Sequence, residues 1–206
     1  MSMARRRLLM LGIALPILAC ESAFGAAAPG SPNAVIEQFY ADLLAVMKQA
    51  RQLSFDERYA RLAPSVSRTF DLGLMSRIAV GPGWAQLSPS QQQRLAAAFT
   101  RYTISVYAKR FDDYGGERFD VGAAATPNAN GVIVASSLVR PNGEKTELNY
   151  LLHQDGPTWK VIDVYLSGAV SELAARRSEF VSVLQRDGAE GLVQMIERRA
   201  AELRSG

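Results

Sequence analysis

Two adjacent runs, Thr146–Gln154 and Thr158–Leu166, are apolar on both faces, and this constrains the fold more than any other feature of the chain. The first carries Leu148, Tyr150, Leu151 and Leu152. Asp155-Gly156 is a hairpin turn signal, because Gly accepts positive φ and Asp bonds its own backbone. Pro157 lacks an N–H, so it opens the next strand and cannot sit inside a ladder. In the second run, strict alternation sends Trp159, Val161, Asp163 and Tyr165 one way and Ile162, Val164 and Leu166 the other. Such a hairpin cannot stand in water. It needs a layer over each face, or a layer on one face and an apolar ligand on the other.

Helices flank this hairpin in the sequence. Asn33 is placed to cap a helix with Val35, Ile36, Phe39, Tyr40, Leu43, Leu44 and Met47 on its apolar side. Ser54-Phe55-Asp56-Glu57 is a capping box for a short helix to about Ala63, and Pro64 starts another segment. Asp71 caps a further helix through Ile78, and Gly81-Pro82-Gly83 is a break. Ser88-Pro89-Ser90-Gln91 is the strongest helix start, with Pro at the first position and Gln91 closing the box. That helix runs to about Phe111, with Leu95, Phe99, Tyr102, Val106 and Tyr107 on its apolar side. The period then switches to two. Arg118–Ala124 and Gly131–Arg140 read as strands, and Pro141-Asn142-Gly143 turns into the central hairpin. Ser171–Leu184 is helical, Asp187-Gly188 breaks it, and Ala189–Leu203 makes a last amphipathic helix. The expectation is an α+β domain: helices over 34–114, a twisted antiparallel sheet of about four strands over 117–166, and helices over 168–204.

The N-terminus reads as an export signal. Met1–Arg7 is basic, Leu8–Ala19 is a 12-residue apolar run, and small residues follow. The run is shorter than the roughly 18 residues a spanning helix needs. Cleavage after Gly25 leaves a flexible small-residue lead over 26–33. Arg5-Arg6 also fits a twin-arginine signal, and Ile17-Leu18-Ala19-Cys20 fits a lipoprotein box with a lipidated Cys20. Removing residues 1–25 takes away three of the 23 basic and one of the 20 acidic residues, which lowers the net charge from +3 to +1. So even a balance gives no support to nucleic-acid binding. It also removes the only cysteine, so no disulfide supports the fold.

The inventory for chemistry is short. His153 is the only histidine and stands among charged neighbours, which suggests a solvated face. No Cys/His cluster, nucleophile triad or Gly-rich phosphate loop can be assembled. Asp112-Asp113 lacks the acidic spacing of a calcium loop. Asp163, sharing a face with Trp159 and Val161, is either an acid at the edge of an apolar cavity, able to act as a base, or an Asp bonded to nearby backbone or Arg.

Several stretches resemble the MlaC family. They are Trp159-Lys160-Val161-Ile162-Asp163-Val164 with the following Gly168, Arg177-Ser178-Glu179-Phe180, and Arg186-Asp187-Gly188 leading to Gly191-Leu192. Tyr102 and Tyr107 ahead of Phe111, and Pro141-Asn142-Gly143, fall where that family has its long helix and strand-connecting turn. Leu62-Ala63-Pro64, Phe70-Asp71-Leu72, Trp84-Ala85-Gln86-Leu87 and Arg101-Tyr102-Thr103 are most similar to its HpnM branch, associated with hopanoid biosynthesis. The resemblance implies an NTF2-like sheet wrapped by helices around an apolar cavity. It implies a periplasmic, toluene-tolerance-type shuttle for phospholipid or hopanoid-type lipid that is not an enzyme and needs no cofactor or metal beyond its lipid cargo. It further implies an inner-membrane lipid transporter of MCE-ring or RND type and an outer-membrane lipoprotein complex as partners, with the protein itself a monomer. Two other classes stay open. One is a small-molecule enzyme using Asp163; the other is a non-carrier accessory protein with a filled core. For a carrier, the expected cavity lining is Leu74, Trp84, Phe99, Tyr102, Val106, Leu148, Tyr150, Leu152, Trp159, Val161 and Phe180. The face of Ile162 and Val164 is the competing choice.

Overall fold

The computed structural model describes residues 30–167 and 170–205, so the export-signal expectations, Cys20 and Gly168 lie outside the described residues. Helices α1 (Pro32–Met47), α2 (Phe55–Thr69), α3 (Leu72–Val80) and α4 (Pro89–Arg110) come first. Strands β1 (Arg118–Val121), β2 (Thr126–Asn128), β3 (Gly131–Val134), β4 (Ser136–Val139), β5 (Lys145–Asp155), β6 (Thr158–Leu166) and β7 (Val170–Ser171) follow, and α5 (Glu172–Ser205) ends the chain. This is an α+β arrangement with an open antiparallel sheet and flanking helices.

The helix starts follow local chemistry. Ser54 and Ser88 each accept from the third helical N–H, while Glu57 and Gln91 reach back to the cap N–H. Asp71 Oδ1 accepts from Leu74 N at 2.9 Å and caps α3. Two expectations shift. Ser31, not Asn33, caps α1, with Pro32 at the first helical position. Asn33 is buried instead, and its Nδ2 donates to Gly122 O at 2.6 Å. Pro64 does not start a new segment but lies inside α2. The fully buried Leu62 and Val66 on either side of it hold that helix against the core, outweighing the lost ladder bond. Within α5, Gly188 breaks the helix at φ 68° and ψ −172°, a region essentially reserved for Gly.

The sheet has seven strands rather than about four. The run expected over Arg118–Ala124 ends at Val121 as β1, β2 lies beyond it where no strand was expected, and the run over Gly131–Arg140 breaks at Ala135 into β3 and β4. β7 adds a two-residue strand beside the end of β6. β5 is the spine of the sheet. One edge pairs with β6 along its length; the other pairs with β4 near Lys145–Glu147 and with β3 at Tyr150–Leu152. Gly131 lets β3 approach, since a Cβ there would lie 2.0 Å from Leu152 O.

The β5–β6 register contains the correction that matters most. Leu151 pairs with Asp163 but Leu152 pairs with Val161, so Ile162 is an extra residue, a β-bulge. The bulge reverses parity along β6. Val161, Val164 and Leu166, paired with Leu152, Tyr150 and Leu148, therefore share the inner face. Asp163 and Tyr165, paired with Leu151 and Asn149, move to the outer face.

The core lies between that inner face and the helices. Phe39 sits at its centre, fully buried. Its ring is edge-on to Phe70 at 5.2 Å and to Tyr107 at 5.3 Å, and Tyr150 follows at 6.4 Å. Each such side chain contributes about 1.5–3 kcal/mol by burial, with the edge-to-face geometry adding to it.

Candidate functional site

At one end of the inner face the core is incomplete. A cavity of about 80 Å³, opening into a larger cleft of about 650 Å³ that includes solvent at its mouth, lies between β5–β6, α4 and the start of α5. Its sheet wall is Leu148, Tyr150, Val164 and Leu166. Its α4 wall is Phe99, Tyr102, Thr103, Val106, Tyr107 and Arg110, residues at spacings of three and four and so on one helical face, with Phe111 just beyond. Leu173 comes from α5, and Phe70 and Met75 from the α2–α3 region. Charge is confined to Arg110, Glu172 and Arg176, and Arg110 is exposed at the mouth.

Behind the lining residues Tyr107 and Tyr150, the aromatic core carries neutral hydroxyls. Tyr40 lies 2.6 Å from Ser136 Oγ, which in turn donates to Leu148 O. Tyr40 also stacks on Phe119 at 4.1 Å. The Tyr150 hydroxyl neighbours those of Tyr40 and Tyr107. Burial pushes Tyr40 up to about 12, partly offset by its bonds to Ser136 and Tyr150. Burial raises Tyr107 and Tyr150 as well. These phenols therefore stay neutral at ordinary pH and present polarity without charge.

The mouth is more ordered than its charges alone suggest. Arg176 Nη1 donates to Glu172 O at 2.8 Å and to the Glu172 carboxylate, one helical turn back. Its Nη2 donates to Tyr102 Oη at 3.3 Å, and the guanidinium lies 5.6 Å from the centre of the Tyr102 ring. This clasp joins the first turn of α5 to α4.

Five of the expected lining residues come together here: Phe99, Tyr102, Val106, Leu148 and Tyr150. The other six lie elsewhere. Leu152 and Val161 share the inner face but are fully buried, because the α2–α3 junction docks on them: Phe70 bridges Val161, and Asp71 N donates to Val161 O at 2.9 Å. Phe180, one turn beyond Arg176, is core, and Trp159 packs at the far end of the hairpin. Trp84 sits in the 3-10 turn after α3, and Leu74 on α3 gives its place to the neighbouring Met75. The sequence reading passed over Phe70, Met75, Thr103, Tyr107, Arg110, Phe111, Leu166, Glu172, Leu173 and Arg176 as lining, and held Val164 only on the competing face. Extending the α4 stripe by one turn from Tyr107 would have reached Arg110.

Asp163 is not at the cavity edge. On the outer face it accepts from Ser171 Oγ at 2.5 Å, from Val164 N at 2.8 Å and from Leu173 N at 3.3 Å, tying β6 to the start of α5. His153 Nε2 lies 3.1 Å from Asp71 Oδ2, so the lone histidine is partnered rather than freely solvated. Among the described residues no three His, Cys, Asp or Glu side chains converge. No described helix is long and apolar enough to cross a membrane.

The sequence pattern of the family described as MlaC protein matches residues 37–198. The toluene tolerance protein Ttg2D of Pseudomonas putida is 25% identical over 195 residues, covering 91% of this chain and 85% of that protein. The phospholipid-binding protein of Ralstonia solanacearum, solved in complex with a phospholipid, superposes with a TM-score of 0.73 at 26% identity. That match covers 84% of this chain and 98% of the solved one.

Proposed function

The chain belongs to the MlaC family, and from that premise we propose that it is a lipid-binding carrier whose cavity holds the acyl tails of a phospholipid. The observation that carries this is the division of the lining: aliphatic and aromatic walls, with charge only at the mouth. Such a site suits a molecule with apolar tails and a polar head. The similar Ralstonia solanacearum protein, captured with a phospholipid, supports the reading. At about 0.8 kcal/mol per CH₂, two ordinary tails cost on the order of 20 kcal/mol to expose to water, so lipid does not cross an aqueous gap unaided. A pocket that replaces the bilayer removes most of that cost and needs no acid, base or metal. Binding and transport rather than catalysis is therefore the activity, and Asp163, occupied at the base of α5, takes no chemical part.

The finer reading has three parts. The basic and apolar N-terminal segment supports export to the periplasm. There the protein exchanges lipid between an inner-membrane transporter, of MCE-ring or RND type, and an outer-membrane lipoprotein complex. The phrasing at Leu62-Ala63-Pro64 and Trp84-Ala85-Gln86-Leu87 supports the HpnM branch, with a hopanoid-type lipid as alternative cargo. Mass spectrometry of lipid extracted from the purified protein tests the core of the proposal. A bound diacyl phospholipid is expected, a hopanoid identifies the alternative cargo, and a protein that never carries lipid refutes the carrier reading.

A further inference from the structure

We infer that Phe70 is the stop at which the acyl cavity ends, and that it sets the longest tail the protein carries. This rests on the carrier reading and deepens it, because apolar walls alone would accept tails of any length.

On the inner face β5 and β6 pair in successive rows: Leu148 with Leu166, Tyr150 with Val164, and Leu152 with Val161. Such rows lie about 7 Å apart along a strand. The first two rows line the cavity and the third does not. The third row is just as apolar, so the chemistry of the strands does not end the cavity. Phe70 does. It lines the cavity, its backbone bridges Val161 in the third row, and it is buried. The enclosed space is about 80 Å³, below the roughly 300–1,000 Å³ of ordinary ligand pockets. The position of its end wall therefore decides how much of a tail is sheltered.

A stop measures length only if it does not yield. The Phe70 ring is edge-on to Phe39 at 5.2 Å and to Tyr150 at 6.3 Å, and it packs on Tyr107 at 5.5 Å. The chain around it is tied down. Phe70 N donates to Val66 O and Asp71 N to Val161 O, both at 2.9 Å. Asp71 caps α3 through Leu74 N, and its Oδ2 lies 3.1 Å from His153 Nε2. Lys160 Nζ donates to Arg68 O at 2.5 Å. His153 and Lys160 are cross-strand partners, so β5 and β6 both hold the corner that carries the ring.

Loading from a bilayer turns that wall into selectivity. A CH₂ that passes from the bilayer into the cavity keeps apolar surroundings, so its transfer is nearly neutral. A CH₂ that the stop leaves in water weakens binding about fourfold. Phospholipids whose tails fit therefore load equally, and loading falls steeply beyond a limiting length. Trimming Phe70 opens the cavity towards Leu152 and Val161, one row further, and moves the limit to longer tails.

The test incubates delipidated full-length mature protein with vesicles holding equal amounts of phosphatidylcholines from didecanoyl to distearoyl. The protein is re-isolated and its bound lipid identified by mass spectrometry. In the parent the longest tails are expected to be under-represented by about tenfold or more relative to the shortest. Phe70→Ala should move the limit by at least one member of the series. Phe70→Leu, which keeps a buried apolar side chain and so protects the fold, should move it the same way by less. Leu43→Ala removes a fully buried side chain outside the lining and should keep the parent's limit, which separates a moved wall from a softened core. A parent that loads every length in the vesicle's proportions, or Phe70 variants that keep the parent's limit, would overturn the inference while the carrier reading stands. A shift in Leu43→Ala equal to that in Phe70→Ala would overturn it as well. A parent that takes up no phospholipid refutes the carrier reading and this inference with it.

Discussion

The two ends of one sheet face differ sharply. At one end Leu152 and Val161 are completely buried, with the α2–α3 junction bonded to Val161. At the other, Leu148, Val164 and Leu166 are only half-buried and face the cavity. The same two strands supply both ends, with similar aliphatic side chains. What differs is the covering layer. The Phe70–Asp71 corner hydrogen-bonds to β6 and closes one end. At the other end, α4 finishes at Arg110 and α5 starts at Glu172, leaving a gap with polar lips. Apolar content in a strand thus decides that something must cover it, and the helix ends decide whether that cover is protein or ligand.

The comparison breaks most visibly on truncation. Leu152→Ala should destabilise the lipid-free protein by about 2–5 kcal/mol, because it leaves a void in a packed site. Leu148→Ala, beside space that already exists, should cost less than about 1 kcal/mol, since few contacts are lost. Urea unfolding of both variants measures the difference, and equal losses would mean the open end is ordinary core. Overpacking runs the comparison in reverse. Val161→Trp should cost about 1–3 kcal/mol or more. Val164→Trp should instead keep near-parent stability and lose its co-purified lipid, because the ring occupies the cavity.

The buried tyrosines of the core behind the cavity give a pH signature. Tyr40 titrates near 10 when unfolded and at about 12 when folded, with Tyr107 and Tyr150 also raised. The neutral phenols' contribution is complete below pH 10. Above it the unfolded chain loses protons that the folded one keeps, so stability falls as pH rises towards 12, by up to about 1.4 kcal/mol per pH unit per phenol. Tyr40→Phe should flatten that fall, as urea titrations at pH 9 to 11 would show. The smallest effect is expected at Asp163→Asn: about 1 kcal/mol from weakened bonds to Ser171 and Leu173, with lipid binding within about threefold of the parent. A folded Asp163→Asn protein that lost turnover of a small molecule would restore the enzyme reading.

Local chemistry made much of the fold legible. The Ser54 and Ser88 boxes, the Asp71 cap and the Gly188 break each act within a few residues, so spacing alone placed them. The short strand Thr126–Asn128 and the break at Ala135 left no comparable mark, and the number of strands was misread. The bulge at Ile162 is also silent, because Val-Ile-Asp-Val is compatible with plain alternation. That one extra residue put Asp163 on the wrong face in the sequence reading and separated Val161 from Val164. On α4 the site was largely readable, since Phe99, Tyr102 and Val106 follow from helical spacing. Arg176 and Glu172 were not, because their role depends on where α5 begins relative to α4, a long-range fact.

A crystal structure of the protein loaded with a phospholipid brominated along its acyl chains locates the tails directly. The account predicts anomalous bromine peaks between Phe99, Val106, Leu148 and Val164, with the phosphate near Arg110 and Arg176. Peaks beside Leu152, Val161 or Trp159, or bromine only on the outer surface of the sheet, would contradict it.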